Sequence, residues 1–311
     1  MAIFNQRLFL RNVFYVWSLV ISIVIFDVFW ESLMGHNIFG FASENRKRLV
    51  SFFKDEQVIG TFLNGFGFIL IGFVFSNFEK ITNLKKCFVF FFLLLLVTCM
   101  IFSGERSNTI KLFLGLIIFF YLNDKIKFNY KIFFLFFVIL IFSISFFKIG
   151  EVRHRYGKDL IQQIVNKEKR EKILYFQLYN TAYEMFKKNV FTGVGNKNYR
   201  IVTCKKDIKY VCSTHPHQIY FEFLSEHGLI GSLILLSILF YLIFKNYRKM
   251  LIKRNLLQIG CFSYLLINFI PILPGGSFFS DFNATFFWIN FSIFYASNTD
   301  TNIFKKYNDK I

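Results

Sequence analysis

The chain has 311 residues, 55% of them hydrophobic and 48 of them Phe, and its mean hydropathy is +0.46. That excludes an ordinary soluble domain, because apolar stretches of about 17 to 25 residues, the length that crosses a bilayer core, recur along it. The net charge of +18 would point to nucleic acid in a soluble protein, but here Lys and Arg flank apolar runs.

In chain order, the apolar stretches predict an all-α polytopic membrane protein with about eight transmembrane helices. They lie at roughly 13–31, 57–76, 87–103, 108–122, 132–147, 227–244, 255–272 and 284–297. The first run closes on Trp30 and Glu31 rather than on a small-residue cleavage site, so it reads as a span and not as a cleavable leader. The loops then set the orientation. With the N-terminus inside, the inside segments hold sixteen Lys and Arg: Arg7, Arg11, Lys80, Lys85, Lys86, Lys125, Lys127, Lys131, Lys245, Arg248, Lys249, Lys253, Arg254, Lys305, Lys306 and Lys310. The short outside loops hold five: Arg46, Lys47, Arg48, Lys54 and Arg106. Positive charge gathers on the side that stays inside. The one long loop escapes that rule and is placed outside. The expected organisation is a bundle of about five spans over 1–147, a loop over 148–226, a bundle of about three spans over 227–297 and an inside tail over 298–311.

The long loop carries order of its own. "KILYFQLYNTAYEMFKK" (172–188) spaces Ile173, Phe176, Ala182, Tyr183 and Phe186 near a helical period and ends on Lys, which predicts an amphipathic helix along the membrane boundary. "GVGNKNYR" (193–200) follows as a glycine turn. Then comes "CSTHPHQIYFEFLSEHGLIG" (212–231). Pro216 suits a first helical turn, with Ser213 or Thr214 as the cap. That expectation puts His215 and His217 at a helix N-terminus, where partial positive charge disfavours imidazolium and leaves a base. The same end attracts anions. Gln218, Glu222 and Glu226 recur every four residues and are candidates either for lining a polar cavity or for the wet face of the helix.

Arg or His reaches the outside face from four segments, the histidine stretch at 212–231 being one of them. "IFSGERSNTIKLF" (101–113) holds Arg106 in a turn, with Lys111 five residues on; the bland alternative is an Arg106–Glu105 surface turn and a snorkelling lysine. "ENRKRLVSFFKDEQVIGTFL" (44–63) brings Arg48, and "EVRHRYGK" (151–158) brings Arg153 and Arg155. The loop adds Arg200. A guanidinium offers a fork of donors that matches phosphate oxygens, so the convergence suits a polyanionic lipid headgroup. Cys204 and Cys212 in the loop read as a disulfide, with free thiols and a zinc ligand set as the alternatives. No phosphate-binding or dinucleotide loop motif occurs.

These stretches, in this order, resemble the O-antigen ligase / O-antigen polymerase family of bacterial membrane glycosyltransferases. The pieces are "RLVSFFKDEQVIGTFL", "SGERSNTI", "GVGNKNYRIVTC…VCSTHPHQIYFEFLSEHGLIG" and "PILPGGSFFSDFNATFFWINF", and the resemblance covers roughly residues 20 to 297. Where the family usually has Asn after the second histidine, this chain has Gln218 and keeps an amide. Family members are usually longer, with further spans at the N-terminus. The resemblance implies a multi-pass protein of the bacterial inner membrane whose site faces the periplasm. It implies transfer of a glycan from undecaprenyl diphosphate to a sugar hydroxyl, such as that of lipid A-core, without nucleotide sugar, metal or other cofactor. His217 matches the family's base, with His215 beside it. Arg106 and Arg48 match diphosphate-binding arginines, and Arg153 or Arg155 matches the loop arginine, with Arg200 a further candidate. Polymerase and protein O-oligosaccharyltransferase activities remain open, as do a transporter or flippase and an inactive truncated glycan-lipid binder. A transporter should carry its polar residues at mid-membrane on broken helices, whereas here the charge gathers at one face.

Overall fold

The computed structural model describes residues 7–42, 48–54, 56–76, 78, 81–159, 161, 165, 173–205, 210–298 and 300–302. Arg46, Lys47, Lys80, Lys305, Lys306 and Lys310, used above for orientation, lie outside the described residues, as do most of the loop at 160–172 and most of the tail. Among the described residues all regular structure is helical.

A helix stands at each of the eight apolar stretches. Five of these are long and apolar enough to cross a membrane: α1 (Arg7–Met34), α2 (Ile59–Ser76), α3 (Asn83–Phe102), α5 (Phe128–Lys148) and α9 (Ile219–Phe244). The other three, α4 (Arg106–Leu122), α11 (Leu256–Ile267) and α12 (Asp281–Ala296), are shorter. Between them come α6 (Gly150–Arg153), a wider turn at His154–Lys158, α7 (Leu174–Lys188), α8 (Tyr199–Thr203) and α10 (Tyr247–Lys253).

By packing, the chain forms two compact units. The first is residues 1–157, 247–267 and 286–311; the second is 158–246 and 268–285.

In the first unit α2 is the central helix. Of its apolar window 72% is buried, against 17% for α5, which leaves Phe133, Phe136, Ile139 and Phe147 on an exposed apolar face suited to lipid. Helices in an apolar solvent gain little from burying apolar surface and associate by close packing, which small residues permit. Gly72 and Gly260 do this between α2 and α11. A Cβ on Gly72 would lie 2.7 Å from the Leu256 carbonyl oxygen, and one on Gly260 would lie 2.3 Å from that of Phe68.

In the second unit α7 packs through Leu178, Thr181, Ala182 and Met185, with Tyr199 of α8 fully buried against Ala182 and Met185. The amphipathic helix predicted over 172–188 is thus present from Leu174, but its apolar residues divide between two stripes. Phe176 and Tyr183 are exposed while Ala182 is buried. The cause is spacing: 178, 181, 182 and 185 form a better inward stripe than 176 and 183.

Helix α9 is two helical pieces joined at Gly228, whose φ of 63° and ψ of −167° break the ladder. The segment 190–195 satisfies the groups this frees. Leu229 N–H donates to the Val190 carbonyl (2.7 Å), and Val194 and Gly195 N–H groups donate to the carbonyls of Ser225 (2.9 Å) and Glu226 (2.8 Å).

Candidate functional site

In the first unit three segments meet on the turn between α3 and α4. Leu49 N–H donates to the Ser103 carbonyl (3.2 Å), which sets the Arg48 segment beside the turn. The Arg155 guanidinium donates to the Gly104 carbonyl (3.0 Å), and the Arg106 guanidinium donates in return to the Arg155 carbonyl (3.3 Å). Tyr156 sits behind them, its hydroxyl paired with Thr109 Oγ1 at 2.9 Å, and burial pushes its phenol up to about 12. Arg48, which donates to Gln57 Oε1 (2.9 Å), shares a cleft with Gly104, Glu151, Arg155 and Tyr156. The cleft holds about 20 Å³, room for roughly one water. Arg48, Arg106 and Arg155 are each half-buried; Arg153, at the end of α6, is exposed and takes no part in these bonds.

Glu105 holds the turn in place. It is not the surface partner of Arg106 that the bland reading expects. Its carboxylate is 6% exposed and takes hydrogen bonds from Gly60 N–H (2.8 Å) and Asn108 Nδ2 (2.6 Å). It therefore fills the N-terminus of α2, where the first N–H groups lack helical partners and the dipole favours an anion. Burial raises its pKa above the ordinary carboxylate range, opposed by those hydrogen bonds and by the charges of Arg48 and Lys111. Lys111 is buried rather than snorkelling.

The Arg48 segment has its own anchors in α1, which the sequence reading passed over. Glu31 accepts from the N–H groups of Val50 and Ser51 (2.7 Å for the latter), and Asp27 accepts from Ile38 N–H (2.9 Å) and from Ser51 Oγ. Two acids four residues apart inside an apolar run were the signal for them, since charge at membrane depth is costly without a partner.

In the second unit the histidines precede α9 rather than lying in its first turn. The helix starts at Ile219 and its cap is Gln218, whose side-chain oxygen accepts from Phe221 N–H (3.0 Å). Ser213 and Thr214 do not cap it. The reason is His217, which takes a left-handed backbone (φ 59°) and turns the chain just before the helix. Its carbonyl accepts from Gly275 N–H (2.8 Å). The rings of His215 and His217 lie 3.9 Å apart. Thr214 Oγ1 pairs with His215 Nδ1 at 2.8 Å. Burial, and then the neighbouring His217, push the His215 pKa down to about 4, with a bond to the Gly275 backbone opposing, so His215 is neutral at pH 7. Tyr175 of α7 meets the His217 ring at 5.5 Å.

Glu222 and Glu226 are 1% and 2% exposed, so they are no wet face, and each is bonded to a loop. Glu222 takes the Ser277 hydroxyl and Phe278 N–H (2.9 Å); Glu226 takes the N–H groups of Lys197 (2.9 Å) and Tyr199 (3.2 Å). Cys204 and Cys212 form a disulfide, and next to it Thr203 Oγ1 donates to the Ser213 carbonyl (3.1 Å). Arg200 is exposed on α8.

Residues 89–236 match the family described as O-Antigen ligase. The match takes in Arg106, Arg153, Arg155, Arg200 and both histidines, and stops short of Arg48 and of the 271–280 loop. No curated protein and no solved structure matches the chain.

Proposed function

We propose, from the match of residues 89–236 to the O-antigen ligase family, that this chain moves a glycan from undecaprenyl diphosphate to a sugar hydroxyl, with lipid A-core as the acceptor. The reaction takes place at the periplasmic face of a bacterial inner membrane. The observation that carries the reading is the convergence of Arg48, Arg106 and Arg155, from three segments distant in sequence, on one turn.

The guanidinium groups of Arg48, Arg106 and Arg155 hold the diphosphate and offset the charge that grows as it leaves. His217 is the base. The acceptor oxygen attacks the anomeric carbon, the bond from that carbon to the phosphate oxygen breaks, and the electron pair departs with undecaprenyl diphosphate. The acceptor proton passes to the His217 imidazole. Direct displacement inverts the anomeric configuration. Neutral His215, its ring 3.9 Å from that of His217, adds no competing charge there.

Reconstitution with undecaprenyl-diphosphate glycan tests this. Lipid A-core, a second lipid-linked glycan and an acceptor peptide are offered in parallel. The reading predicts release of undecaprenyl diphosphate with the glycan on lipid A-core. Glycan on the lipid-linked acceptor would make the protein a polymerase, and glycan on the peptide a protein transferase. Movement of intact donor across the bilayer without any transfer would make it a transporter and defeat the proposal.

A further inference from the structure

We infer that Tyr175 is the platform on which the acceptor sugar lies while its hydroxyl meets His217, an inference that rests on the reading of His217 as the base. Tyr175 and Tyr179 sit one turn apart on α7 and so share a face, but the protein uses them differently. Tyr179 is committed at both ends. Its hydroxyl donates to the Ile272 carbonyl (3.2 Å) and its ring stacks on Phe221 at 4.9 Å and 17°. Among the described residues Tyr175 is committed at neither. It is half-buried, its hydroxyl bonds to no other described residue, and its ring meets only that of His217, edge to face at 5.5 Å and 72°.

His215 and Tyr175 both lie against the His217 ring. His215 lies tilted at 42° with its centroid 3.9 Å away and is hydrogen-bonded through Thr214, whereas the hydroxyl of Tyr175 has no partner among the described residues. A hydroxyl that gives its proton to His217 must carry its sugar ring into that neighbourhood. One face of a pyranose is a patch of C–H bonds with slight positive charge, and an aromatic face is slightly negative. A ring with an unused polar end can also accept or donate to a second sugar hydroxyl. The ligand class is thus a pyranose with a free hydroxyl, held by face contact rather than by charge.

The test is kinetic, on the reconstituted full chain with undecaprenyl-diphosphate glycan as donor. Lipid A-core and a second lipid-linked glycan serve as acceptor probes. Tyr175→Ala should raise the acceptor KM about tenfold or more and leave the donor KM within about twofold. Tyr175→Phe keeps the ring and should raise it by no more than about threefold. Intact Cys204–Cys212 disulfide and an unchanged melting midpoint in detergent confirm the fold of each variant. A fall in kcat at unchanged acceptor KM would mean that Tyr175 only positions His217, and would overturn the inference, as would wild-type kinetics. Transfer by His217→Ala would remove the base reading itself. Transfer by wild type, none by His217→Ala and an unmoved acceptor KM in Tyr175→Ala would sink the Tyr175 inference alone. No transfer by wild type to either probe would overturn both.

Discussion

Acids and bases divide their work in this protein. Among the described residues the buried acids are Asp27, Glu31, Glu105, Glu222 and Glu226, and each accepts a hydrogen bond from the backbone N–H of another segment. A buried carboxylate would be expensive alone, and charge-assisted bonds to backbone offset that cost. The acids thereby fix loops: the Arg48 segment, the start of α2, the 277–278 turn and the 197–199 turn. The arginines are left half-exposed to meet a ligand. This separates two residues that the sequence could not. Arg155 reaches the Gly104 carbonyl, whereas Arg153 is exposed two positions away. Arg155→Ala should therefore raise the donor KM by about ten- to a hundredfold, the worth of one or two charged hydrogen bonds at roughly 1.5–3 kcal/mol. Arg153→Ala should change it less than about twofold. Equal effects of the two substitutions in a donor titration would contradict the placement.

At the scale of elements, the break in α9 is the feature with most consequence, because the stretch from the histidines to the membrane helix runs through it. Gly193 and Gly228 face each other's segment across the break. A Cβ on Gly193 would lie 2.4 Å from the Glu226 carbonyl carbon, and one on Gly228 would lie 2.4 Å from Phe191 backbone atoms. Both glycines have positive φ, +65° and +63°. Gly193→Ala and Gly228→Ala should each cost at least about 1–3 kcal/mol from backbone conformation alone and lower the melting midpoint in detergent. An unchanged midpoint would show that the two segments do not meet. The glycines were visible in "GVGNKNYR" and "EHGLIG" as turn formers, but the break was not. A helix period continues through 219–244, and only the carbonyls and N–H groups of 190–195 make interruption favourable. The cap failed for a related reason. Ser213 and Thr214 have the right chemistry, but the left-handed turn at His217 depends on the 275 backbone, far along the chain. Local signals that needed no partner were legible: the apolar stretches, the Lys-ended helix α7, and the nearby cysteine pair.

Across the whole chain, loop charge assigns each loop to one of two sides. Within the first unit, loops assigned to the inside bond to each other, as in Asp124–Arg254 at 3.0 Å, and loops assigned to the outside do likewise, as in Leu49–Ser103 and Gly60–Glu105. In a variant whose native cysteines are replaced by Ser, Arg200→Cys should react with an impermeant maleimide once only the outer membrane is opened. Lys125→Cys should react only after the inner membrane is opened too; the reverse order would invert the protein in its membrane. That the Arg48, Arg106 and Arg155 segments would gather was readable from the sequence, but the pairing of Arg155 with the turn and the anchoring role of Glu105 were not, because both depend on which backbone groups tertiary packing leaves without partners. The measurement that bears most directly on the account is single-turnover transfer from undecaprenyl-diphosphate glycan to lipid A-core by wild type and His217→Ala, both reconstituted and both binding donor. The account predicts inverted product from the wild type and a loss of at least about a hundredfold in the variant. Product from His217→Ala at the wild-type rate would contradict it.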